Sequence, residues 1–104
     1  MITTTLNEVP GRTIKDTLGL VQGVSVRSPS VSERMMGETA TQLGGDNNPY
    51  YRVCVAAREN ALRDMLSQAN CMNADAVVGI RYEISQFSPG IAEVVAYGTA
   101  VKLV

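Results

Sequence analysis

The side chains on which chemistry could rest are few: the thiols of Cys54 and Cys71, the guanidinium of Arg58, and the carboxylates of Asp75, Glu83 and Glu93. Thiolates are soft metal ligands, and with carboxylates they would suit a heavy-metal ion. The chain has no His, and no Lys stands beside a Ser, so no nucleophile-base pair can be assembled from neighbours in sequence. Gly44-Gly45 falls at an expected helix end rather than between a strand and a helix, and neither a Walker pattern nor GxGxxG occurs. No enzymatic activity and no cofactor are expected.

Spacing constrains the thiols. One helix carrying both would hold them, 17 residues apart, about 25 Å from each other along its axis and about 100° apart in direction. Neither a single metal ion nor an intrachain disulfide spans that gap. Cys54 is expected to be a buried core residue, since free Cys behaves as a small hydrophobe, and Cys71 to lie partly exposed near the helix end. Metal binding by these thiols would then need copies of the chain meeting on a symmetry axis. Arg58 falls by wheel angle inside an apolar sector, close to Leu62 and Met65. A guanidinium there is costly unless satisfied, so Arg58 is expected to be mostly buried and ion-paired with Asp75, Glu83, Glu93 or an adjacent subunit.

The element that positions these groups is a long amphipathic helix beginning at Tyr50. Cys54, Ala57, Ala61, Leu62, Met65, Ala69 and Met72 share its core-facing side. It breaks at Met72-Asn73-Ala74-Asp75, where Asn73 suits the left-handed C-cap conformation. From Ala76 the period changes to two: Ala76, Val78, Ile80, Tyr82 and Ile84 point one way, Val77, Gly79, Arg81 and Glu83 the other. After a turn at Ser88-Pro89-Gly90, Ile91 to Leu103 returns as the second strand of an antiparallel hairpin.

Upstream, Ile2 to Leu6 reads as a short strand entering a turn at Val9-Pro10-Gly11-Arg12. Ile14 to Arg27 reads as a second strand that changes phase near Gly19 to Gly23, as a bulge or bend would make it. Ser30 and Glu33 form a capping box for a short helix running to Leu43 and stopped by Gly44-Gly45. The predicted architecture is one α+β domain over 1–104, ordered β-β-α-α-β-β, with the long helix across an antiparallel sheet.

Composition agrees with a small globular domain: 45% hydrophobic and 18% charged residues. A formal charge of −1 supplies no attraction to nucleic acid or to an acidic membrane. The N-terminus lacks a basic stretch followed by an apolar one, and no segment approaches the roughly 20 apolar residues of a membrane span. The cytoplasm is the expected location.

Ala57-Arg58-Glu59-Asn60-Ala61-Leu62, followed by Asn73-Ala74-Asp75-Ala76-Val77-Val78-Gly79-Ile80-Arg81-Tyr82-Glu83, resembles the YbjQ-like family of small bacterial proteins. The likeness extends to Pro10-Gly11, Leu18-Gly19-Leu20-Val21-Gln22-Gly23, Gly44-Gly45 and Ala96-Tyr97-Gly98-Thr99-Ala100-Val101, nearly the whole chain. It implies a two-layer subunit assembled as a ring, a pentamer, with a heavy-metal-binding label and no established activity. Asn73 stands where the family usually has Gly, and Tyr51 where many relatives carry an acidic residue.

The two faces of the last hairpin also argue for a homo-oligomer. The larger side chains, Val78, Ile80, Tyr82, Val95, Tyr97 and Val101, are the expected bed for the helix. Val77, Gly79, Val94, Ala96, Gly98 and Ala100 would then form a second face that is apolar and small, a close-approach seam between subunits centred on Ala96 and Gly98. Two functions fit: a homo-oligomeric structural module holding a small ligand or partner, or a heavy-metal protein using Cys and carboxylates from neighbouring subunits.

Overall fold

The computed structural model describes residues 1–27, 49–88 and 91–104. The capping box at Ser30 and Glu33, the short helix ending at Gly44-Gly45 and the turn residues Pro89-Gly90 lie outside these. The described elements run β1 (Ile2–Thr3), β2 (Ile14–Arg27), α1 (Pro49–Cys71), β3 (Ala76–Ser88) and β4 (Ile91–Leu103). They form one helix packed on a four-stranded sheet of order β1-β3-β4-β2. The sheet is mixed rather than antiparallel, because β1 pairs with β3 in parallel. β1 is two residues long, and the N-terminal segment continues along the edge of β3 through Gly79 N–H to Leu6 O (2.7 Å) and Ile80 N–H to Thr4 O (3.1 Å). The Pro10-Gly11 turn closes as expected, with Arg12 N–H donating to Val9 O at 3.0 Å and Gly11 at φ 78°, the geometry of a type II turn.

α1 ends in a Schellman motif. Asn73 sits at φ 59°, Ala74 N–H reaches back to Ala69 O (3.1 Å) and Asn73 N–H to Asn70 O (3.0 Å), so orphan carbonyls of the last turn are satisfied. Asn73 therefore caps the helix as its residue type suggested.

The helix face is an alanine stripe broken by Met65, and the sheet face it covers mixes alanine with valine and Ile80. Ala57, Ala61, Met65 and Ala69, four apart, are fully buried against Val21, Val77, Ile80, Val94, Ala96 and Ala100. This overturns the expected bed: α1 lies on the small face, and Ala96 and Gly98 are interior to the chain's own core instead of a seam. The reason is close approach. At Gly23 a Cβ would overlap the carbonyl oxygen of Ala61 and lie 2.5 Å from the amide nitrogen of Met65, so the helix backbone rests on the strand backbone, and an alanine stripe suits that distance. A glutamate at Ala96 or Gly98 would enter the core and disrupt the fold of the single chain.

A second correction concerns the phase of β3. Gly79, at φ 63°, sits in a bulge in which Gly79 and Ile80 together oppose Gly98, between the pairs Val78↔Thr99 and Arg81↔Tyr97. Before the bulge Val77 faces α1; after it Ile80, Tyr82 and Ile84 do, and Arg81 and Glu83 join Val78 on the far side. β2 bulges where its phase change pointed, between Thr17 and Gly19, with Gly19 at φ 132°. Its other glycine, Gly23, is the contact point for the helix.

Candidate functional site

The far face of the sheet divides in two. At one end Ala76, Val78, Val101 and Leu103 are covered by Val9 of the N-terminal segment, with Ile14 at the start of β2 packed against them, a second small core. Beyond it no described residue covers the sheet. Along β2, Leu20, Val24 and Val26 stand 68%, 50% and 56% exposed, and the half-buried Val95 and Tyr97 of β4 lie beside them, Val24 opposite Val95 and Gln22 opposite Tyr97. Arg81 and Glu83 of β3 pair across to Tyr97 and Val95. The surface thus runs from aliphatic along β2 to charged along β3, and it is the largest set of exposed apolar side chains that one described element presents.

The sequence carries a signal for this face. Once the bulge at Leu18-Gly19 is passed, Leu20, Gln22, Val24 and Val26 fall on one side at a strict period of two. Asp64 and Gln68 stand outside the expected set of site residues. One turn apart on α1, they accept hydrogen bonds from the edge amides of β2: Gln22 N–H to Gln68 Oε1 at 2.8 Å and Val24 N–H to Asp64 Oδ2 at 3.2 Å.

The expected site residues are not brought together. Cys54 is half-buried rather than buried, Cys71 is exposed, and both thiols are free at opposite ends of α1. Arg58 is exposed, contrary to its expected burial, because α1 leans toward β2 and β4 and leaves that side of the helix to solvent. None of its expected partners among the described residues is bound to it: Asp75 pairs with Lys102 at 3.5 Å, and Glu83 is exposed on the far face. Among those residues no cluster of three or more Cys, Asp or Glu could hold a metal. A groove of about 470 Å³ along the outer side of α1 is lined by Glu59, Leu62, Arg63, Leu66, Ser67 and Asn70, with Arg63 donating to Asn60 at 3.2 Å.

Asp75 joins the end of α1 to the last strand. Its Oδ2 accepts Leu103 N–H at 2.9 Å and its Oδ1 meets Lys102, whose ammonium also donates to Asn73 O at 2.8 Å. The Leu103 hydrogen bond above all holds the carboxyl below its ordinary value of 3.8; desolvation opposes this, and the Lys102 charge adds to it. A depressed folded value means a contribution fully present above the unfolded carboxylate range and lost as pH falls through the folded one. Asp75→Asn is expected to lower the melting temperature at about pH 6 and to leave a shallower acid limb as the pH falls below the ordinary carboxylate value. An unchanged acid limb would show that Asp75 contributes nothing to it.

Comparison with known proteins places the chain among small bacterial relatives. The YbjQ_1 family model, whose description is “Putative heavy-metal-binding”, matches residues 1–104. The UPF0145 protein lpp0255 of Legionella pneumophila is 39% identical over 101 residues, covering 97% of this chain and 96% of that protein. A UPF0145 protein of Thermotoga maritima is 42% identical over 103 residues, 99% and 97% of the two chains. In fold the chain is similar to the crystal structure of a DUF74-family protein of unknown function from Pediococcus pentosaceus, with a TM-score of 0.65 at 18% identity over 100% of this chain and 98% of that one. No described helix is long and apolar enough to cross a membrane.

Proposed function

This chain belongs to the YbjQ-like family along its full length, and from that premise we propose that it is a homo-oligomeric structural or binding module and not an enzyme. The observation that carries this reading is the row Leu20, Val24 and Val26, each at least half exposed on the sheet face away from α1. A solvent-facing sheet normally alternates polar residues outward, and an apolar row of this kind on a small domain marks an interaction surface. The protomer is also drawn out, 52 × 23 × 17 Å with a radius of gyration of 16.7 Å, where a compact chain of 100 residues has about 13 Å. A second copy is the simplest cover, and closed symmetry the simplest arrangement; a ring of five is the form that the family resemblance suggests.

Light scattering at dilute concentration tests it. The wild type should run as an assembly, five chain masses for the pentamer, and Val24→Glu should run smaller while keeping its helix signal, since the side chain is half exposed. A monodisperse wild-type monomer would refute the reading, as would a Val24→Glu variant of unchanged mass.

A heavy-metal role is the second reading. The family description and the exposed thiol of Cys71 favour it, with copies of Cys71 converging across subunits. Metal content that is stoichiometric as purified and lost in Cys71→Ser would establish it over the first reading.

A further inference from the structure

Among the described strands β2 ends the sheet, and two of its edge amides are taken by helix side chains: Gln22 N–H donates to Gln68 Oε1 at 2.8 Å and Val24 N–H to Asp64 Oδ2 at 3.2 Å. The spacings match. Residues four apart on a helix lie about 6 Å apart along its axis, and alternate amides of a strand about 6.6 Å apart. Two side-chain oxygens on successive turns of α1 therefore stand where a paired strand would place two carbonyls. One turn earlier Asn60 Oδ1 accepts from Arg63, and one turn later comes Met72, which offers no oxygen.

The strand so covered has the composition of one that pairs with itself. From Leu18 to Val26 it holds no charged residue and no proline, its nearest charges being Asp16 and Arg27, while Leu20, Val24 and Val26 stand at least half exposed. Uncharged, β-prone segments of this kind assemble with identical segments of other chains, and natural edges are blunted by charge, proline or a covering element. Charge and proline are absent from this stretch, which leaves the covering side chains.

We infer that Asp64 and Gln68 guard the β2 edge: by standing in for a strand they keep that edge from adding the same segment of a second copy. The excluded pairing runs in the plane of the sheet and would join copies beyond any assembly made through the far face. Removing the guards therefore raises the mass whether the wild type is a ring or a single chain, and the guard and the proposed assembly can fail separately.

The test compares the wild type with the double variant Asp64→Ala/Gln68→Ala, which removes both oxygens, and with Asp64→Asn/Gln68→Glu, which keeps an oxygen at each position and the same net charge. Light scattering over a concentration series should give the alanine variant about twice the wild-type mass or more, and the Asn/Glu variant the wild-type mass. Hydrogen exchange locates the contact: in the alanine variant the Gln22 and Val24 amides should exchange about tenfold faster than wild type at low concentration, the loss of one hydrogen bond each, and regain protection as concentration rises. Should the double change unfold the chain, Gln68→Ala alone carries the same reading at Gln22. An alanine variant that keeps its helix signal and the wild-type mass at every concentration overturns the inference. So does a raised mass with Gln22 and Val24 left unprotected, or an Asn/Glu variant as heavy as the alanine one.

Discussion

Gly23→Ala is expected to be the most damaging single-methyl change in this protein, lowering stability by about 3 kcal/mol or more, at or beyond the upper end of overpacking costs. The added Cβ would overlap the Ala61 carbonyl oxygen and lie 2.5 Å from the Met65 nitrogen. Both are helix backbone, so no rotamer change relieves the clash and α1 must lift off β2. Lifting it also breaks the Asp64 and Gln68 hydrogen bonds to the strand edge. Gly98→Ala makes a useful contrast, because its nearest neighbour is the Val77 Cγ1 methyl at 2.8 Å, with the Val78 carbonyl at 3.0 Å, and part of that contact lies on a side chain. Urea denaturation at one protein concentration should rank Gly23→Ala as the weaker fold. If Gly23→Ala matches the wild type, the helix does not rest on the strand at this point.

Met65→Ala should come next. Among the described residues Met65 is the largest fully buried side chain and the one long residue in an otherwise alanine stripe. Its truncation leaves a void that neither backbone can close, and such changes cost about 2 to 5 kcal/mol. In a domain of this size that lowers the melting temperature by roughly 10 °C or more. Met72→Ala, just beyond the last residue of α1 where the side chain is only half-buried, should cost much less. Equal losses at the two positions would mean that the core does not centre on Met65. Both comparisons belong at matched protein concentration, since assembly of the folded state raises its apparent stability.

Local chemistry was legible in the chain. The span of α1 followed from its apolar stripe, its end from Asn73, the tight turn from Pro10-Gly11, and the last hairpin from its period of two, because each depends on residues within a few positions of one another. The inability of Cys54 and Cys71 to meet within one chain followed from helix geometry alone. Contacts across the fold were not legible. Both faces of the hairpin are apolar, so periodicity could not say which one receives the helix; the small face won because Gly23 and the alanines of α1 permit backbone-to-backbone approach that larger residues would prevent. The bulge at Gly79 exchanges the two faces of β3 partway along, and only the register with β4 reveals it. Arg58 fell in an apolar sector by angle, yet the width of that sector is set by where the helix sits on the sheet, and α1 sits over β2 and β4. The exposed row on β2 and the closed edge beside it likewise depend on residues some 40 positions apart in sequence. Tertiary packing alone decides such pairings, because the free energy of burying a face belongs to both surfaces that meet.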